Sequence, residues 1–332
     1  MDINNRRALK AAARESLANA AYDPRKLVLI HTLAAVTLSF LVTLLDFLLD
    51  SRIADTGGLS GMGLRSLLST AQSVLRLANL VLLPFWEVGY IHAAMGIARG
   101  GEVRPGSLME GLRRWGPVLR ANLLQATLYF CVGMTCFYLA MMIFVFSPLS
   151  AALTALVEPY AADPNAALAD PAIVAAVTQA SLPMLAIFLV LYAALALPMV
   201  YHYRMVNYAL LDEPRGSAFA ALRRSKMMMN GRRFRLFRLD LSFWWFYGLQ
   251  TLLSLICYGD VLLPMIGIEL PFSGTVSFFV FYVLSLAGQV VLYTLVRNQV
   301  AVTYAHAYDT MKEAPAPAPT PKVQPGSQPW EY

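Results

Sequence analysis

The side chains that could do chemistry in this sequence are few, and they sit inside long apolar runs: Glu87, His92, His202, Arg204, Asn207 and Arg297. Aligning the runs that end at Arg99, Asp212 and Asp309 puts Glu87 and Arg297 at one depth, each twelve residues from its run's end. At about 1.5 Å per helical residue that is roughly 18 Å, near the middle of a bilayer. His202, Arg204 and His92 follow at ten, eight and seven residues. An isolated charge at such depth costs at least about 2.5–3.5 kcal/mol, so each demands a partner. The expected pair is Glu87 with Arg297 or Arg204, with His92, His202, Asn207 and Gln299 around it. Two uses fit such a cluster. It can form a polar cavity, open to the cytoplasm, that binds a polar group or relays protons. It can equally be a structural ion pair that fixes which helix faces meet. If the last run ends near Val296, Arg297 lies instead at the surface.

Soluble enzymes are poorly matched by the rest of the chain. Its 332 residues are 58% hydrophobic and 14% charged, whereas soluble domains are about a quarter charged. No P-loop, dinucleotide fingerprint, HExxH or GxSxG element occurs, so the motif content points away from an enzyme and from any cofactor. An intramembrane lipid-modifying enzyme would need acids or histidines converging from separate helices. Cys131, Cys136 and Cys257 all fall in apolar runs without CxxC spacing, which implies neither a disulfide framework nor a metal site. The net charge of +6 does not suggest nucleic acid, because the cations flank the apolar runs.

The elements that must position these residues are all helical. Six apolar runs of bilayer length are expected at about 27–49, 74–98, 118–146, 182–211, 239–263 and from Phe272 onward. A basic amphipathic arm (1–26) precedes this transmembrane domain (27–311), and an extended Pro-rich tail (312–332) follows it. The Lys and Arg residues decide orientation. Apart from Arg204 and Arg297 inside the runs, all except Arg52, Arg65 and Arg76 fall on one side, so both termini are expected in the cytoplasm. Between the runs, Gly106-Ser107-x4-Leu112-Arg113-Arg114 recurs 110 residues later as Gly216-Ser217-x4-Leu222-Arg223-Arg224. In the first copy Ser107 and Glu110 read as a capping box and Gly116-Pro117 as a helix stop. Asn230-Gly231 reads as the stop of the second. Three units, each a basic surface helix followed by a helical hairpin, account for the pattern. The cations Arg113, Arg114, Arg223, Arg224, Lys226, Arg232 and Arg233 would then lie at the headgroup layer and meet anionic lipid or a membrane protein partner. The plainer reading is that basic linkers merely obey the charge rule. His31 and His306 read as structural histidines, and the Trp residues as interfacial anchors or packing.

The stretches Arg6–Leu17, Gly89–Gly116 and Tyr208–Phe246 resemble a bacterial family of polytopic membrane proteins, domain of unknown function nine-seven-five. The resemblance covers most of the chain apart from the tail. It implies a six-span all-helical protein of the bacterial cytoplasmic membrane. No activity is assigned to the family, so no site residue can be carried over from it.

Overall fold

The computed structural model describes residues 5–55, 62–147, 171–213, 216–265, 268 and 274–313. Gly57, Gly58 and Gly61 between the first two runs, residues 148–170 between the third and fourth, and the tail from 314 lie outside them. The described residues form helices and no strand: α1 (Arg6–Ala18), α2 (Pro24–Asp55), α3 (Met62–Ala98), a 3-10 turn (Pro105–Met109), α4 (Glu110–Arg113), α5 (Trp115–Val145), α6 (Pro171–Tyr203), α7 (Val206–Asp212), α8 (Ala218–Met229), α9 (Arg233–Leu241), α10 (Trp244–Ile256), α11 (Gly259–Met265), α12 (Gly274–Leu292), a π turn (Tyr293–Arg297) and α13 (Asn298–Glu313).

Among the described residues, five stretches are long and apolar enough to cross a membrane: Pro24–Ile53, Gly63–Ala98, Trp115–Val145, Leu182–Asp212 and Gly274–Glu313. The run expected at 239–263 is not one rod. It is divided among α9, α10 and α11 by tight turns, in which Phe243 N–H donates to Asp240 O and Tyr258 N–H to Leu255 O. Two smaller expectations are also corrected. Pro105 opens a 3-10 turn that places Ser107 inside it rather than at its cap, so Ser107 Oγ donates to Arg104 O at 2.7 Å and no capping box forms. Gly116-Pro117 does not stop a helix. Both lie in the first turn of α5, where proline's missing N–H would have had no partner. Asn230-Gly231 does end α8, with Gly231 at φ +72°.

The chain folds as two compact units. The first joins the chain up to Leu119 to the chain from Met205 onward. Here α2 runs antiparallel to α3. At one end Arg76 forks onto Asp46 at 2.9 and 2.8 Å, and Gln72 Nε2 donates to Asp50 at 2.8 Å. At the other end Leu27, Val28, Tyr90, Ala93, Ala94, Ile97, Leu108 and Val302 form a buried cluster. Burying one such leucine contributes about 1.5–3 kcal/mol. α1 joins this core through fully buried Leu9 and Ala13, and Ser16 Oγ meets His306 Nε2 at 3.0 Å. Burial therefore concentrates in the second half of α3, α1 and α13, while residues 63–82 of α3 are largely exposed.

The backbone of α3 meets the 3-10 turn and α4 without room for a methyl group. A Cβ on Gly89 would stand 1.8 Å from Leu108 O, and one on Gly111 would stand 2.0 Å from Phe85 O. The second unit runs from Arg120 to Arg204 and pairs α5 with α6. Phe137 meets Phe188 edge-on, and Gln125 Nε2 donates to Tyr203 O at 2.9 Å.

Candidate functional site

In the first unit the sequence positions two polar clusters along one pair of helices. Glu87 on α3 and Arg297 in the π turn form an ion pair, one of the two pairings the sequence leaves open. Twelve residues further along both helices, Arg99 donates to Asp309 at 2.5 and 3.1 Å. The same offset of 210 residues relates both pairs, so the two helices run side by side in one register. A π turn inserts an extra residue into the ladder, a device common where a side chain must be re-aimed. Here it brings the Arg297 guanidinium between the rings of Tyr90 and Tyr293, at 4.8 and 4.7 Å from their centroids.

Around this pair the partners are aromatic as much as polar. His31 is 2% exposed, 4.7 Å from the Tyr90 ring and 5.8 Å from the Trp86 ring. Its Nε2 lies 3.9 Å from Glu87 Oε2, and neither ring nitrogen has a hydrogen-bond partner among the described residues. Trp86 Nε1 donates to His31 O at 2.9 Å. Tyr90 O–H donates to Asn298 Oδ1 at 2.9 Å, and Asn298 Nδ2 donates to Pro24 O at 2.6 Å. The pair is thereby tied to the beginning of α2. Counted from Pro24 to His31, seven residues, it lies about 10 Å along that helix rather than the 18 Å reckoned from Arg99. α3 and α13 continue past the start of α2, which the count from their own ends cannot reveal.

The second cluster was not singled out from the sequence as a site. Asp212, at the end of α7, has a side chain only 7% exposed. Lys312, Arg99 and Arg224 approach it at 2.8, 3.1 and 3.5 Å, and Tyr308 O–H donates to it at 3.2 Å. The Tyr308 ring stacks on Tyr208 at 5.6 Å. Arg224 also pairs with Glu213, and Arg114 bonds Glu110 at 2.7 Å and Leu211 O at 3.3 Å. The hydrogen bond to Asp309, and then the charges of Asp309 and Asp212, hold the Arg99 guanidinium protonated even more firmly than usual. The ends of α3, α7 and α13 thus converge on one carboxylate. The signal was present in the sequence: Arg99, Asp212 and Asp309 are the residues that aligned the three runs.

The remaining expected residues divide. His92 is half-buried and its charged neighbours are Glu110, Arg114 and Arg99, at the Asp212 end of the unit. Asn207 lies in α7 with Oδ1 buried and without a hydrogen-bond partner among the described residues. His202 and Arg204 end the second unit. Of the basic residues, Arg232 is buried and its Nη1 donates to Met311 O at 2.8 Å, closing the end of α13. Desolvation, then the neighbouring Arg235, lowers its affinity for the proton below the ordinary guanidinium value. Arg233 is half-buried; Arg113, Arg223 and Lys226 are exposed.

Exposed apolar and cationic residues share a face on two helices. On α8, Phe219, Arg223 and Lys226-Met227 fall at i, i+4 and i+7/i+8, and all are exposed, Phe219 at 71%. On α9 the same spacing returns as Phe234, Arg238 and Leu241, with Phe234 68% exposed.

Among the described residues no group of His, Cys, Asp and Glu is arranged to hold a metal ion. No curated protein and no solved structure matches the chain. Over residues 1–287 it matches the model of the family described as Protein of unknown function (DUF975), and the chain belongs to that family.

Proposed function

We propose that the chain is a non-enzymatic membrane protein of the cell envelope whose cytoplasmic helices hold anionic lipid at the headgroup layer. In this reading the chain crosses the membrane six times, with α10 and α11 together making the fifth crossing and both termini cytoplasmic. The ends of α3, α7 and α13 that meet at Asp212 would then lie on the cytoplasmic side. The observation that carries the proposal is the repeated face on α8 and α9, where exposed aromatic and aliphatic side chains alternate with exposed Arg and Lys at helical spacing. Such a face suits the boundary between acyl chains and phosphates, where each cation contributes about 1 kcal/mol against an anionic surface. The inward cations Arg224 on α8 and Arg232, just before α9, are already engaged with Asp212 and Met311 O.

The test is an immersion measurement. A nitroxide on Met227→Cys in the reconstituted full chain should contact oxygen more and a water-soluble relaxant less in phosphatidylglycerol bilayers than in phosphatidylcholine. Arg223→Gln with Lys226→Gln should remove that difference. A label equally wet in both lipids would refute the proposal.

A second reading, a small transporter that uses the polar cluster, is favoured by one observation: buried His31 with two unpartnered ring nitrogens beside Glu87. Glu87→Gln separates the readings. A transporter should lose flux with normal insertion, whereas a lipid-holding protein should keep its lipid contacts.

A further inference from the structure

A cleft of about 340 Å³ opens where α1, the start of α2 and the π turn meet, on the same first unit but apart from α8 and α9. Arg14 and Arg25 line it, with Leu17, Leu295, Asn298 and Gln299. Both arginines are exposed, and neither forms an ion pair among the described residues. In every other respect the cleft is firmly built. Asn298 ties Pro24 O to α13, and Asp23 Oδ1 accepts from Arg25 N–H at 2.9 Å, capping α2. The turn that carries Arg25 is therefore held from both sides. On the other wall Leu295 is 68% exposed and continues the outward apolar surface of α12 with Val291 and Leu284.

We propose that this cleft is a discrete site for the phosphodiester of one anionic phospholipid, with the acyl chains running along Leu295 and α12. The proposal rests on the lipid-holding reading above but concerns different residues. Guanidinium groups suit phosphate oxygens because their planar fork donates two parallel hydrogen bonds. The juxtaposition of two unpaired guanidiniums with an exposed apolar stripe matches the two halves of a phospholipid, and a free anion would use only one of them. Asp23 also lines the cleft, leaving it a single net positive charge. That balance favours a monoanionic phosphodiester over a dianionic phosphate monoester.

Native mass spectrometry of the delipidated full chain tests this. Phosphatidylglycerol should be retained at one saturable molecule per chain, and phosphatidylcholine should not. Loss of about 1 kcal/mol per cation corresponds to roughly fivefold per arginine, so Arg14→Gln with Arg25→Gln should weaken retention about 30-fold. Arg14→Lys with Arg25→Lys should restore most of it. Leu295→Glu, which leaves both arginines in place, should weaken it too and serves if the double variant does not fold. Arg223→Gln with Lys226→Gln should leave this site unchanged, so the broad face and the cleft fail separately. Equal retention of phosphatidylcholine, displacement of the lipid by inorganic phosphate, or full retention in both the double variant and Leu295→Glu would overturn the proposal.

Discussion

The two copies of the Gly-Ser/Leu-Arg-Arg element solve one problem by opposite means. Each must bring a basic surface segment back against the helix that precedes it. The first copy does so through backbone contact: Gly89 on α3 admits Leu108 O, and Gly111 admits Phe85 O, while α3 itself continues unbroken to Ala98. In the second copy the preceding helix breaks. α6 ends at Tyr203, α7 restarts at Val206, and the freed Met205 N–H donates to Ser225 Oγ at 3.2 Å within a fully buried setting. Position 111 is glycine and its counterpart, Ala221, is a buried alanine. Even the shared serine differs in use. Ser107 donates to Arg104 O, whereas Ser217 Oγ accepts from Ala220 N–H and caps α8. A repeated sequence can therefore keep its surface charges while its docking contact is replaced.

This contrast orders the expected effects of substitution. Gly89→Ala and Gly111→Ala should be the most damaging, since the new methyl meets a carbonyl oxygen rather than a side chain that could move. Each should cost about 3 kcal/mol or more, at the upper end of overpacking costs, and lower the melting temperature of the detergent-solubilised chain. Ala221→Gly in the second copy should cost about 1–2 kcal/mol, the helix-propensity loss plus that of one buried methyl group.

Next comes Asp212→Asn. It leaves Lys312, Arg99 and Arg224 facing one another without their shared carboxylate. Breaking a buried pair costs about 3–5 kcal/mol, and the partial exposure of these partners brings the expectation to about 2 kcal/mol. The loss should shrink as salt is raised, which chemical denaturation at two ionic strengths would show.

Ser225→Ala strands the buried Met205 N–H and should cost about 1–2 kcal/mol. The second copy would thereby prove to depend on a side-chain hydrogen bond where the first depends on glycine. The smallest effects separate neighbouring arginines. Arg224→Gln should destabilise by about 1 kcal/mol, while exposed Arg223→Gln should stay within about 0.5 kcal/mol. Arg223 should instead register in the lipid-immersion measurement. Equal stability changes at the two positions would erase the distinction between inward and outward cations.

Much of this organisation was legible from residue types alone. Charges within apolar runs need partners, and that rule narrows the partner of Glu87 to Arg297 or Arg204 without deciding between them. The Asn-Gly end of α8 was equally plain, because Gly231 adopts a left-handed conformation that other residues resist. The family resemblance held over most of the chain. What could not be read depended on contacts between distant segments. A glycine inside an apolar run does not reveal which carbonyl will approach it, so Gly89 carried no signal. Asp212 looked like one end of a run, because its three cations come from α3, α8 and α13 and meet only after folding. The capping box failed for a local reason, since Pro105 opens the turn early and moves its N-cap from Ser107 to Arg104. The division of the fifth run was hidden for another, because apolar composition does not register the turns after Leu241 and Ile256.

The ends of α3, α7 and α13 meet at Asp212, which in the proposed reading lies on the cytoplasmic face of the membrane. Single cysteines replacing Glu102, Phe219 and Glu313, in a chain with Cys131, Cys136 and Cys257 changed to alanine, report that directly. An impermeant thiol reagent should label all three from the cytoplasmic side of sealed vesicles and none from the opposite side. Labelling of any one of them only from the opposite side would contradict the convergence on Asp212 and the lipid-facing helices built around it.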